Sequence, residues 1–343
     1  MTRLAYAPAA FTVMPVARVL SGIQPTGDLH LGNYLGAVRQ WVADQHEHDS
    51  YFCVVDLHAL TVPRDPGELR ARTLETTLVL VAAGIDPDLC TLFVQSHVAE
   101  HTGLSWLLEC VASMGELRRM TQFKEKAKAG EESARVGLFT YPVLQAADIL
   151  LYDADRVPVG DEQKQHLELA RDLAQRFNQR YGQTFVEPEA AVPTVAARVM
   201  DLQSPDDKMS KSAASPKGTV LLLDEPDAIA RKFRRAVTDP GASVRFDPVH
   251  KPGVSNLLQI LAAATDQKPE DLVDNYSQYG PLKEDAAQAV IELLRPLRER
   301  YTELAADPDA VEAMLALGAD KARGVASLTL SRARDSVGLL PPG

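Results

Sequence analysis

The sequence predicts an α/β fold, a doubly wound parallel sheet followed by a helical C-terminal domain. Three observations carry this. Short apolar runs alternate with stretches of helical periodicity through the first half of the chain. Apolar strands separated by helices imply a parallel sheet covered on both faces. Beyond residue 219 the pattern turns mainly helical.

Taken in order, "RVLSG" (18–22) reads as a buried strand, and 31–45 as a helix with Tyr34, Leu35, Val38, Trp41 and Val42 on one face. "YFCVVDL" (51–57) is the next strand, and the helix from Glu68 to Ala83 stops at Gly84. "CTLFVQS" (90–96) is a strand, 104–113 is helical, and "DADRVPVG" (153–160) ends a further short strand. Glu162–Tyr181 is a long amphipathic helix closed by Gly182. The stretch "SPDDKMSKSAASPKGT" (204–219) has almost nothing to bury and reads as a mobile loop. Strand-like "VLLLDEP" follows, then helices over 226–236, 253–264, 284–304 and 309–335.

A chain of 343 residues, 45% hydrophobic and 24% charged, can bury a substantial core. No apolar run approaches the roughly 20 residues of a membrane span, so no membrane is expected. The opening "MTRLAYAPAAFTVMP" lacks a compact apolar stretch and reads as a flexible extension (1–15) rather than a signal peptide. Cys53, Cys90 and Cys110 are odd in number and dispersed, as in the reduced core of a cytoplasmic protein. The net charge of −11 argues against general nucleic-acid or membrane binding. Two local basic clusters stand out, "RRMTQFKEKAK" (118–128) and "RKFRR" (231–235). Each taken alone is equally a solvated helix face.

Glycine stands at 22, 27, 32 and 36 in "SGIQPTGDLHLGNYLG", after a strand and before a helix, where backbone N–H groups and the helix dipole favour an anion. The known phosphate loops do not fit. Gly22 and Gly27 have P-loop spacing but Asp28-Leu29 follow; Gly27 and Gly32 repeat it with Asn33-Tyr34; no G-x-G-x-x-G is present. What remains is "HLGN", with His30 and Asn33 three apart at the helix start, able to donate to a phosphate approaching over Gly32. Alone, it is also a glycine-rich turn with a capping Asn. In "KMSKS" (208–212), Lys208 and Lys211 could neutralise a triphosphate and its leaving pyrophosphate. Alone, it is a solvated basic loop.

Together, the H-L-G-N turn and the K-M-S-K-S loop form the paired signature of class I aminoacyl-tRNA synthetases. The stretches "SGIQPTGDLHLGNYLGAVRQWV", "DLHALT", "RRMTQFKEKAK", "YPVLQAADILLY" and "VPVGDEQKQHLELARDLAQRFN" narrow the resemblance to bacterial tryptophanyl-tRNA synthetases, from about Ser21 to the C-terminal helices. The resemblance implies a Rossmann-like catalytic domain over 16–215, with a dimer-forming insertion around 95–145, and a helical anticodon-binding region over 216–343. It implies activation of tryptophan by ATP with Mg²⁺, transfer to tRNA(Trp), and a homodimer with tRNA bound across subunits.

By similarity, Gln24, Pro25 and Thr26 line the nucleotide, and Gly32 and Asn33 let it approach, with His30 at the first signature position. Gly160, Asp161 and Glu162 form a further wall and Val199 lies near the base. Lys208, Met209, Ser210, Lys211 and Ser212 close over the phosphates, which Lys126 also reaches. His30, Asn33, Lys126, Lys208 and Lys211 are the catalytic set. Asp148 accepts the indole N–H, and Tyr141, His58 and Gln163 line the same pocket. No protein-held metal is expected. The chemistry agrees: a substrate carboxylate is already ionised, so adenylate formation needs positioning and charge neutralisation rather than a base. A buried acceptor left unpaired by a wrong side chain gives about 10⁴-fold discrimination.

Two residues depart from the family. Leu20 stands where Phe is usual and Gln145 where Met is usual, both facing the amino-acid pocket, which should become roomier and more polar. His30 stands where many bacterial members have Thr. "HVAEH" (97–101) fits a zinc-peptidase pattern, but His97 follows a strand and Thr102-Gly103 should interrupt any shared helix. "HEHD" (46–49) reads as a solvated helix end. Three alternatives remain: a tyrosyl enzyme, which the motifs fit less well; a small-molecule nucleotidyltransferase, which needs no such helical domain; and a synthetase-like paralogue that binds tryptophan or a partner protein.

Overall fold

Five parallel strands, β1 (Arg18–Ile23), β2 (Asp49–Val54), β3 (Thr91–Val94), β4 (Arg156–Pro158) and β5 (Glu189–Ala191), lie in the order β3-β2-β1-β4-β5. The order reverses between β1 and β4, and the crevice beyond their C-terminal ends is where such sheets take ligands. The computed structural model describes residues 16–126, 135–158, 160, 163–191, 198–210, 216–241 and 243–341.

The interior strand β2 is buried from Ser50 to Val54, which is why its sequence is a nearly continuous apolar run rather than an alternation. Its two faces meet different layers. Phe52 and Val54 pack with the helices after β1, Phe52 stacked on Trp41 with ring centroids 5.0 Å apart. Cys53 joins the opposite layer with Tyr141, Ala147 and Tyr152.

After β1 come α1 (Leu31–Asn33), a π-helical turn (Tyr34–Val38) closed by Arg39 N–H on Tyr34 O, and α2 (Arg39–Glu47). α3 (Asp56–Ala59) follows β2, and Asp65 and Pro66 start α4 (Pro66–Ala82) as side-chain cap and first-turn proline. A 3₁₀ turn (Gln95–His97) leads into α5 (Glu100–Glu109), α6 (Met114–Arg119), α7 (Thr121–Lys126) and α8 (Val136–Leu150). α9 (Lys164–Tyr181) precedes β5. The remainder is α10 (Pro226–Arg234), α11 (Pro252–Thr265), α12 (Pro269–Leu272), α13 (Tyr279–Ala305) and α14 (Pro308–Ser336).

The alternation read from the sequence is present, with four differences. "VLLLDEP" is not a sheet strand: Leu221 makes only an antiparallel bridge to His30, and its apolar neighbours Val220 and Leu222 are buried in the core. α5 starts at Glu100 and runs through Thr102 and Gly103, so those residues interrupt nothing. Cys53 and Cys90 are buried thiols, but Cys110 is exposed. In the loop expected to bury nothing, Met209 is 2% exposed and belongs to the core.

The later helices serve both faces of the sheet. α10, α11 and α13 share the core of α2 and α4, while Ala319, Ala322, Ala326 and Ala333 of α14 pack with α5, α8 and α9. Arg332 holds α14 down by hydrogen bonds to Asp153 (2.7 Å) and to the Thr184 carbonyl (2.8 Å).

Candidate active site

The turn after β1 needs a left-handed residue, supplied by Gly27 at φ +70°. Then "HLGN" folds into a reciprocal cap. The Asn33 N–H donates to His30 Nδ1 (3.3 Å), and the His30 N–H donates to Asn33 Oδ1 (3.2 Å). Accepting on Nδ1 places the imidazole proton on Nε2, so His30 Nε2–H and the Asn33 amide NH₂ are the donor groups of this turn. His30 is nonetheless only 3% exposed. A Cβ on Gly32 would stand 3.1 Å from the His30 ring and 3.5 Å from Met209 Cβ. The missing side chain therefore seats the His30 ring and Met209.

The "KMSKS" segment is tied by both legs to different partners. On the exit leg, Leu31 N–H donates to Val220 O (2.8 Å) and Leu222 N–H to Leu29 O (2.9 Å), joining it to the HLGN turn. On the entry leg, Met200 bridges Lys208, and Met209 N–H donates to Val199 O (3.1 Å). Asn256 of α11, 3% exposed, clamps Met200 from outside, donating to its carbonyl and accepting from its N–H, both at 2.9 Å. Asp201 Oδ1 caps the next turn by accepting from the N–H groups of Gln203 and Ser204. Lys208 is exposed beside the buried Met209.

A cavity of about 320 Å³ opens at the C-terminal ends of β1, β2 and β4. Its wall includes Leu20, Gln24, His58, Tyr141, Gln145, Asp148 and Gln163. Asp148 is 4% exposed and receives three donors. Gln95 Nε2 (2.7 Å) and His101 Nδ1 (2.6 Å) bond Oδ1, and His58 Nε2 (2.7 Å) bonds Oδ2. Burial opposes its ionisation, but the neighbouring His58 and the bonds from His101 and His58 prevail and hold the carboxyl below the usual range. His101 Nε2 is in turn bonded to Tyr152 Oη (2.8 Å), whose phenol burial drives far above its ordinary pKa. The Tyr141 hydroxyl, pushed up to about 12 by burial, donates to Gln122 Oε1 (3.0 Å) and lies 2.9 Å from His166 Nε2. Gln145 donates to Gln163 (3.2 Å).

The structure thus brings together every amino-acid-pocket residue expected from the sequence, Leu20, His58, Tyr141, Gln145, Asp148 and Gln163, with Gln24 at the same cavity. Pro25 is buried in the turn, Thr26 is half-buried and Gly160 is exposed. Val199 is 1% exposed, so its side chain serves the core. Asp161, Glu162, Lys211 and Ser212 lie outside the described residues, as does the side chain of Lys126. One point goes beyond the sequence reading: three protein donors already surround Asp148. Sequence reasoning missed Gln95, His101, Gln122 and Tyr152. His101 lay in the "HVAEH" pattern, set aside above as a zinc motif, and the structure puts its Nδ1 on Asp148 Oδ1.

A family model of the class I tRNA synthetases (W and Y) matches residues 15–295. Tryptophan–tRNA ligase 1 of Streptomyces coelicolor is 58% identical over 331 residues, covering 95% of this chain and 98% of the relative. The chain belongs to the tryptophanyl class I synthetases. A tryptophanyl-tRNA synthetase from Mycoplasma pneumoniae has the same fold, with a TM-score of 0.87 at 35% identity over 95% of this chain and 98% of that one. The synthetase from Campylobacter jejuni, crystallised with ADP and tryptophan, gives 0.82 at 34% identity, covering 94% of this chain and all 100% of its own.

Proposed function

We propose that the protein activates tryptophan with ATP and transfers it to tRNA(Trp), with the residues above in the following roles. The observation that carries this is the buried Asp148 carboxylate in the wall of the cavity at the C-terminal ends of β1, β2 and β4. Asp148 Oδ2 takes the indole N–H. The substrate carboxylate oxygen attacks the α-phosphorus of ATP, an O–P bond forms, and the bond to the bridging oxygen breaks as pyrophosphate leaves. His30 Nε2–H, the Asn33 amide, Lys208, Lys126 and Lys211 neutralise the charge that develops. A terminal adenosine hydroxyl of tRNA then attacks the acyl carbon and releases AMP. Bound together with ATP, Mg²⁺ would add to the neutralisation of the phosphate charge.

Trp106, Met114 and Val136, each at least 60% exposed, border an apolar hollow of about 670 Å³ between α5, α6 and α8. A second copy of the chain is assigned to cover it. The helical segments after residue 216 are assigned to the anticodon. On α10, Lys232 is bonded to Asp224 (2.5 Å), which leaves Arg231, Arg234 and Arg235 as the exposed positive face. Neutralising these three should lower the salt slope of tRNA binding by about 2; an unchanged slope would remove α10 from the interface.

The reading is tested by ATP–pyrophosphate exchange driven by tryptophan, with tyrosine and a ring-substituted tryptophan alongside, followed by charging of tRNA(Trp). Exchange with tryptophan and not tyrosine is expected. Silence with every amino acid from folded protein would favour a tryptophan-binding paralogue.

A further inference from the structure

Tyr152 and His101 have 0% exposure and neither lines the cavity, yet they sit two hydrogen bonds and one, respectively, from its key acceptor. We propose that this pair is a specificity-determining positioning device, which orients Asp148 so that the carboxylate keeps one acceptor site for a ring N–H. The proposal rests on the reading of Asp148 as the indole acceptor.

An ionised carboxylate offers about four lone-pair sites. Here three are filled. Both donors on Oδ1, Gln95 and His101, come from residues outside the cavity wall, whereas His58, the donor on Oδ2, is part of that wall. The remaining site is therefore on Oδ2, on the cavity side. A ring nitrogen bonded to an ionised carboxylate must carry a proton, so His101 is protonated on Nδ1. Burial keeps the Tyr152 phenol protonated, and it donates to Nε2, which selects that tautomer. Without the phenol, the buried Nε2 would lose its partner and the ring its second anchor, so the Nδ1–H would no longer be held on Oδ1. The carboxylate would then rotate to recover a donor and consume the site meant for substrate. His101 is thus the counterpart, one layer back, of the cavity-lining His58.

The test compares tryptophan with β-(benzothiophen-3-yl)alanine, in which sulfur replaces the ring N–H, by ATP–pyrophosphate exchange. For Tyr152→Phe, which keeps the ring packed, the preference for tryptophan should fall about tenfold, chiefly through its KM, while kcat/KM for the isostere moves less than about twofold. His101→Asn retains an N–H donor toward Oδ1 and should keep more of the preference than His101→Leu; melting temperatures check that each variant is folded. The proposal is overturned if Tyr152→Phe and His101→Leu keep the wild-type preference while Asp148→Asn erases it. If Asp148→Asn also keeps it, the reading of Asp148 fails and the pair's role fails with it.

Discussion

The cavity assigned to the amino acid and the turn and loop assigned to the nucleotide share one end of the sheet but are held by different means. Around Asp148, side chains from β2's exit, the 3₁₀ turn, α5 and α8 are buried and bonded to one another, so the carboxylate is oriented by a network of three donors. Around HLGN and KMSKS, the backbone itself is the scaffold: bridges tie one leg to Leu29 and Leu31, and Asn256 ties the other to α11. The difference teaches where substitutions should act. Changes in the first region should alter which amino acid is chosen; changes in the second should alter how fast phosphorus chemistry proceeds.

The largest effect should come from Asp148→Ala, which strands three buried donors and removes the acceptor. Exchange kinetics should show kcat/KM for tryptophan reduced about 10³–10⁴-fold, and a loss below tenfold would break the comparison on the amino-acid side. Next is Asn256→Ala, which leaves both polar groups of Met200 without their clamp. It should lower kcat about 10–100-fold through misplacement of Lys208, with the tryptophan KM nearly unchanged. A shift in tryptophan KM instead would show that the two regions are not separable.

Smaller changes sharpen the account. Leu20 and Gln145 both line the cavity, so Leu20→Phe with Gln145→Met should raise selectivity for unsubstituted over ring-substituted tryptophan about tenfold. Equal relative kcat/KM before and after would dismiss the idea of an altered pocket. Least of all, Glu116 on α6 is paired with Arg176 on α9, which lowers its pKa from 4.5 to about 2. A depressed carboxyl pKa adds stability above the unfolded pKa and loses it as pH falls through the folded one. Glu116→Gln should therefore melt below wild type at pH 7, and the gap should close between about pH 4.5 and 2. A gap that persists at the acid end would mean packing, not charge, joins these helices.

Much of this fold was legible because periodicity is local. β2's apolar run and α9's amphipathic repeat announce themselves within a few residues. "VLLLDEP" misled for the same reason: four apolar residues in a row look like a strand, and only the tertiary pairing with Leu29 and Leu31 shows a bridge. The site was legible only through signatures. Asp148 meets His58 across 90 residues, Gln95 across 53 and His101 across 47, separations that no local spacing encodes. The two histidines of "HVAEH" matched a metal pattern, whereas the fold puts His97 in a 3₁₀ turn and His101 on Asp148. Met209 was hidden differently, as a buried apolar residue in a polar loop.

The most direct test sets Asp148→Asn beside Lys208→Ala in steady-state ATP–pyrophosphate exchange, titrating tryptophan and ATP separately. The account predicts that Asp148→Asn raises the tryptophan KM while leaving that for ATP in place. Lys208→Ala should lower kcat and leave the tryptophan KM in place. Both variants moving the same constant would contradict the division between a recognition network and a charge-neutralising loop.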